Sequence, residues 1–252
     1  MIDSHAHLYL CKKPVDVLLE RAWQAGVKAV MDVGINLETS LKAYETAKRY
    51  PNVVASIGIH PSEKLKIDEI DEMEQVLKTH SFSAIGEIGL DYFHERIPRE
   101  LQKQRFEKQL KLAQTYKLPV IIHNRCAEDD MLPIVKQYFD LPMIFHCYSS
   151  DIAFAKEVSA PNHYFSFSGT ITYSNKGQVL EVLKWVDLDH ILIETDAPYL
   201  TPAVFKGQEN EPAFVVETAK KAAEVKGIDL TELGDRLLMN MNRIFFIHTK
   251  PI

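Results

Sequence analysis

Met1-Ile-Asp-Ser-His-Ala-His-Leu8 opens the chain, and its reading decides the fold. Side chains alternate between the faces of a β-strand, so Asp3, His5 and His7 project the same way. Two imidazoles one pleat apart can hold one metal ion in common, with the Asp3 carboxylate just behind. A His-x-His pair alone also fits a wet edge strand. What decides is where the other ligand-type residues fall.

Short apolar, β-branched runs recur along the chain, at residues 27–33, 53–59, 82–88, 119–123, 142–146, 164–168 and 190–196. Amphipathic stretches separate them, at 14–25, 37–49, 66–78, 99–116, 129–138, 151–158 and 177–185, and two more helices are expected at 213–226 and 230–246. Asn36 is placed to cap the second helix, and Gly26 to stop the first. No repeat, low-complexity tract or linker interrupts the pattern, so one domain spanning residues 1–252 is expected.

Such an alternation allows an open doubly wound sheet or a closed (β/α)8 TIM barrel, both in the α/β class. Gly34, Gly58 and Gly89 form no dinucleotide-binding pattern after the first strand. The polar residues at the strand ends favour the barrel. His5 and His7 end strand one, Glu87 strand four, His123 strand five, His146 strand six and Asp196 strand eight. An open sheet would spread these ends along a line, whereas a barrel gathers them around one mouth, where active sites of that fold are built. Singly, each has a bland alternative: His123 a satisfied core histidine, Glu87 or Asp196 a helix cap. Together they converge.

Nitrogen and carboxylate donors without thiolate suit zinc, manganese or magnesium rather than a closed structural zinc site. Six ligands exceed the needs of one tetrahedral ion, so two divalent ions are expected. His5, His7 and Asp196 would serve one, His123 with His146 the other, and Glu87 would bridge. Such a pair makes hydroxide available near neutral pH and clamps an electrophilic oxygen. Asp196 could also take the water proton. His60, in Gly58-Ile-His-Pro61, is placed to touch a substrate phosphate, or else packs its loop. Asp91 and Arg125 could position substrate, or pair with each other. Glu194 faces the same way as Asp196, one layer deeper, and is expected to orient a ligand histidine; Asp3 is expected to play a similar supporting part. Lys12, Lys13, Arg96, Arg99, Lys176 and Lys206 fall in or near mouth-side loops, as a basic funnel or as scattered solvated charges.

Composition narrows the classes. Hydrophobic residues make up 46% and charged residues 25%, ordinary for a soluble globular protein. No apolar run approaches membrane-spanning length, and acidic Asp3 with no apolar stretch after it argues against a signal peptide. The 3 cysteines, without Cys-x-x-Cys spacing, read as reduced thiols, so a cytoplasmic protein is expected. The net charge of −6 counts against a protein that coats DNA, but not against a nuclease with basic residues only at its cleft. A monomer is compatible with all of this.

Beyond the first strand the chain carries Gly86-Glu-Ile-Gly-Leu-Asp-Tyr92, Ile121-Ile-His-Asn-Arg125, His146-Cys-Tyr-Ser149 and Glu194-Thr-Asp-Ala-Pro-Tyr-Leu200. In these motifs and their order it resembles the TatD family of metal-dependent deoxyribonucleases, within the amidohydrolase-like barrel hydrolases. The resemblance implies a divalent-metal hydrolase acting on DNA phosphodiesters, often from the 3′ end. The family's ligand positions fall on His5, His7, Glu87, His123, His146 and Asp196. Two departures stand out. Cys147-Tyr-Ser-Ser150 replaces the family's Cys-Phe-Ser-Gly, and loss of the glycine is expected to bear on that loop. Lys206-Gly-Gln-Glu-Asn-Glu-Pro212 replaces a more basic Arg-Gly-Lys-Arg-Asn-Glu-Pro, implying a weaker phosphate grip or another substrate. Two alternatives therefore stay open: the same metal centre cleaving an ester or amide, such as an aminoacyl ester on RNA, and a non-catalytic metal- or nucleic-acid-binding module.

Overall fold

The computed structural model describes residues 1–64 and 69–245. Strands β1 (Ile2–Ala6), β2 (Ala29–Val33), β3 (Val53–Ile57), β4 (Ala84–Asp91), β5 (Val120–Arg125), β6 (Met143–Phe145), β7 (His163–Phe167) and β8 (Ile191–Ile193) pair in chain order, all parallel. The ring closes where β1 meets the segment after β8. There the His7 N–H donates to the Ala197 carbonyl (2.8 Å) and the Asp196 N–H to the His5 carbonyl (2.8 Å). With no free edge left, the open sheet is excluded and the (β/α)8 barrel stands.

Around it run α1 (Val15–Gln24), α2 (Leu37–Arg49), α3 (Glu69–Leu77), α4 (Arg99–Tyr116), α5 (Glu128–Gln137), α6 (Ile152–Glu157), α7 (Gln178–Trp185), α8 (Val215–Lys226) and α9 (Leu230–Phe245). The bounds of α2 and α4 are those their periodicity predicts. Asn36 does cap α2: its side chain accepts from the Thr39 N–H (2.9 Å) while the Thr39 hydroxyl accepts from the Asn36 N–H (3.0 Å). The expected start of the third helix near residue 66 and the expected end of the last at residue 246 lie outside the described residues. Short 3-10 turns that periodicity did not show, such as Leu8–Leu10, Gly169–Tyr173 and Ala203–Phe205, follow strands on the mouth side.

Strands β1 to β3 are buried along their whole length, as expected of a parallel sheet covered by helices. Two features of this core bear on the site. Gly89 has φ +143°, and a Cβ there would lie 2.0 Å from the His123 carbonyl oxygen, so only glycine lets β4 lie against β5 at that histidine. Asp3, fully buried, accepts from the Thr195 N–H (2.9 Å) and the Thr195 hydroxyl (2.6 Å), latching the first strand to the last. Burial pushes its carboxyl up to about 8, against the opposing pull of the Thr195 and His5 hydrogen bonds. Asp3, expected to support the site from behind, thus bonds to the residue before Asp196. It meets His5 only through the backbone N–H, at 3.4 Å, because the neighbouring strand offers closer donors.

Replacing Asp3 with alanine leaves the Thr195 donors unpaired in the core, at a cost of about 2–4 kcal/mol. Urea denaturation should show that loss as a lower midpoint with unchanged slope.

Candidate metal centre

The barrel brings all six predicted ligands to one place. His5 lies within β1 and His7 just past it; His146 directly follows β6, and Asp196 follows β8. Asp196 has φ +56°, a left-handed conformation that aspartate tolerates better than most residues. Glu87 and His123 correct the expectation of strand-end positions. Strands β4 and β5 run on past the rim, with Leu90 and Asp91 paired to Asn124 and Arg125, so Glu87 sits mid-strand. His7, Glu87, His123, His146 and Asp196 line a cavity of about 710 Å³, with His5 almost fully buried beneath.

Glu87 is the centre of the arrangement. Its Oε2 lies 3.4 Å from His5 Nε2 and 3.6 Å from His7 Nε2. Those two nitrogens are 3.3 Å apart, and Asp196 Oδ1 stands 3.4 Å from His7 Nε2 and 3.8 Å from His5 Nε2. The other oxygen, Oε1, lies 2.7 Å from both His123 Nδ1 and His146 Nε2, which are 3.2 Å from each other. Donors about 2.0–2.1 Å from one tetrahedral zinc ion stand about 3.3 Å apart, so the first group has the spacing of a ligand set. Imidazole nitrogens facing one another at such distances need a cation or a proton between them. The donors fit a metal.

Electrostatics agree. Burial alone would raise the Glu87 carboxyl, but the His146, His60 and His123 imidazoles outweigh it and hold the group well below the usual carboxylate range. Burial likewise opposes ionisation of Asp196, and His7, His5 and His146 overcome it. Both carboxylates are therefore ionised. His146 shows the reciprocal effect: burial lowers it, yet Glu87 and Glu194 carry it well above the ordinary imidazole range.

The far sides of the His7 and His146 rings are held as well. His7 Nδ1 lies 2.7 Å from the Val33 carbonyl, and His146 Nδ1 lies 3.2 Å from Glu194 Oε1, the orienting role expected of Glu194. His123 Nε2 faces Asp91 Oδ2 at 3.4 Å. Asp91 is otherwise occupied within the protein, holding His94 Nδ1 (2.7 Å) and the N–H groups of Phe93 and His94. Although their backbones are paired across β4 and β5, its side chain makes no ion pair with that of Arg125. The guanidinium of Arg125 stacks instead on the Phe93 ring, 4.4 Å from its centre, at the cavity rim. His60 enters the cavity beside Glu87 Oε1, at 3.4 Å.

The basic funnel is only partly realised. Buried Glu211 takes the Lys13 and Arg21 side chains, Glu209 takes the Lys12 backbone N–H (2.6 Å), and Arg99 pairs with Glu95. Lys206 stands on an exposed loop and is not among the cavity-lining residues, whereas Arg96 and Arg125 are. The departure at Ser150 does not strain its loop, since Ser150 has no positive φ. Its hydroxyl instead bonds to Glu128 and accepts from the Asn124 amide (3.2 Å), fixing the residue after His123. Sequence spacing missed Asn124, Ser150 and also Tyr9, whose hydroxyl donates to the Val33 carbonyl (2.9 Å) beside His7 Nδ1, because their partners come from other strands; Ser62, which bonds His60 Nδ1 within its own loop, was missed as well.

A family model described as TatD related DNase matches residues 2–246. The Bacillus subtilis protein YabD, described as an uncharacterized metal-dependent hydrolase, is 35% identical over 254 residues, covering 98% of this chain and 100% of its own. Escherichia coli YcfH, described likewise, is 32% identical, covering 98% of this chain and 96% of its own. The crystal structure of Escherichia coli YjjV, a TatD homologue, superposes with a TM-score of 0.92 at 29% identity, covering 98% of each chain. Along nearly its whole length, then, the chain belongs to the TatD related DNase family.

Proposed function

We propose that this chain is a divalent-metal-dependent phosphodiester hydrolase, a DNase that removes nucleotides from single-stranded or 3′-terminal DNA. The observation that carries the reading is the split of Glu87, one oxygen toward His5 and His7, the other toward His123 and His146. His5, His7 and Asp196 would hold one ion, His123 and His146 a second, with Glu87 shared between them. When bound, such a pair lowers the pKa of a shared water and withdraws charge from the oxygen of the group under attack.

The chain's own residues divide the remaining work. Asp196 keeps its side chain 15% exposed against 3% for Glu87, so it is the carboxylate able to receive a proton from a water in the cavity. Glu87 stays ionised and fixes four imidazoles at once. Glu194 and the Val33 carbonyl hold the His146 and His7 rings in orientation. Arg125 and His60 line the cavity where a substrate's charged oxygens would enter, and Lys206 stands outside that lining.

Nucleic acid is favoured over a small ester by the rim. Phe93 (61% exposed), Tyr199 (54%) and Tyr173 (51%) present open rings on mouth-side loops, and Phe93 carries the Arg125 guanidinium. Exposed aromatics beside a cation suit stacked bases of a single strand. The opposing feature is the depleted segment 206–212, whose Glu209 and Glu211 neutralise nearby lysines. It supports the second reading, cleavage of an ester such as an aminoacyl ester on RNA by the same centre. The described helices include none long and apolar enough to cross a membrane, and Cys11, Cys126 and Cys147 are unpaired, which fits the cytoplasm.

End-labelled oligonucleotides incubated with metal-loaded protein should release mononucleotides, and a chelator should stop the release. No release with magnesium, manganese or zinc, alongside cleavage of ester substrates, reverses the ranking. Asp196→Asn should lower turnover about 10²–10⁴-fold while circular dichroism shows the fold intact. Phe93→Ala should raise KM for a single-stranded oligonucleotide about 5- to 100-fold, the value of one lost base stack, with kcat nearly unchanged.

A further inference from the structure

His60 lies close enough to the second half of the centre to pass for a ligand. Its Nε2 is 3.3 Å from His123 Nδ1 and 3.4 Å from Glu87 Oε1, so the three atoms form a compact group of metal-ligating type. The other nitrogen of its ring argues otherwise. Nδ1 receives the Ser62 backbone N–H at 3.1 Å and lies 2.7 Å from the Ser62 hydroxyl. A backbone N–H can only donate, so Nδ1 must present its lone pair, and the hydrogen of the neutral ring sits on Nε2. That hydrogen faces the centre, toward His123 Nδ1 and Glu87 Oε1, at the wall of the cavity that His60 lines.

The expected ligand histidines show the reverse pattern. The outer nitrogen of His7 faces the Val33 carbonyl (2.7 Å), that of His146 faces Glu194 (3.2 Å) and that of His123 faces Asp91 (3.4 Å). The Val33 carbonyl and the Glu194 carboxylate accept the ring hydrogen and leave the inner nitrogens of His7 and His146 with a lone pair for a metal, whereas His123 Nε2 makes no hydrogen bond among the described residues. His5 Nδ1 has no hydrogen-bond partner among the described residues. His60 is thus the one imidazole at the centre whose outer partner is a donor. The backbone holds it in place: the His60 N–H donates to the Ile35 carbonyl (2.9 Å), and the Glu63 N–H donates back to the His60 carbonyl (3.0 Å).

We infer that His60 is not a metal ligand but a catalytic hydrogen-bond donor, its Nε2–H aimed at the non-bridging oxygen of the group under attack. The substrate assignment rests on the hydrolase reading above; the tautomer and the exclusion from the metal set do not. As the attacked group gains charge on that oxygen, a preformed neutral donor stabilises it without giving up a proton.

The test separates the two readings. Metal content and affinity of His60→Ala, measured by atomic emission and by titration of the metal-free protein with zinc, should match those of the wild type. His123→Ala, measured in parallel, should lose metal. Turnover of metal-loaded His60→Ala on its best substrate should fall about 10²–10³-fold, as for removal of one oxyanion-type donor. His60→Gln, whose amide can both accept from Ser62 and donate into the cavity, should recover at least a tenth of the wild-type turnover. Loss of a metal equivalent, or a tenfold loss of affinity, in His60→Ala overturns the inference. So does equal turnover by His60→Ala and the wild type. If wild-type protein cleaves no phosphodiester, the DNase reading fails while the metal measurements still decide whether His60 is a ligand.

Discussion

A carboxylate buried at 3% exposure among imidazoles is the constraint on which the rest of the molecule depends. Removing the Glu87 charge from water is costly unless opposite or polarisable partners surround it closely. Those partners come from four different strands, so only a closed ring of strands can supply them all. The barrel is therefore more than a scaffold on which a site has been placed. Glycine at position 89, the crossing hydrogen bonds between β1 and the segment after β8, and the Asp3–Thr195 latch each serve to bring strand ends within reach of that one side chain.

Much of this was legible in the sequence, for a physical reason. Parallel strands buried on both faces are written as apolar runs, so a histidine or carboxylate at the end of such a run stands out against its surroundings. That is how His5, His7, Glu87, His123, His146 and Asp196 were found, and how two alternative folds could be separated. What spacing could not show is which atoms from distant strands meet. Asp3 shares the histidines' face, yet binds Thr195, because strand pairing rather than face decides its partner. The strand-end rule also failed at Glu87, since β4 and β5 continue pairing beyond the barrel rim. Lys206 lies on a loop, and loops follow side-chain packing that no periodicity records.

The rim differs in character from the centre. Deep in the mouth, charge and geometry are fixed by mutual compensation. At the surface, acidic side chains of the segment after β8 occupy the lysines of the loop after β1, which leaves Arg96 and Arg125 as the lysine or arginine side chains lining the cavity. Ser150 adds a private bond between the loops after β5 and β6, where the family's usual glycine would have no side chain to offer. The loops around the mouth thus differ from the family's usual pattern, above a centre whose side chains are closely packed.

The latch between Asp3 and Thr195 joins residues 192 positions apart. Contacts of such long sequence separation form late, since loop closure must precede any gain from them. During synthesis on a ribosome, His5 and His7 emerge first and then wait for Asp196, the last of their group, to be made. An unfinished polypeptide thus carries the histidine pair without the ring that gathers its partners. Assembly of the centre therefore waits for the segment after β8 to be made and to meet β1.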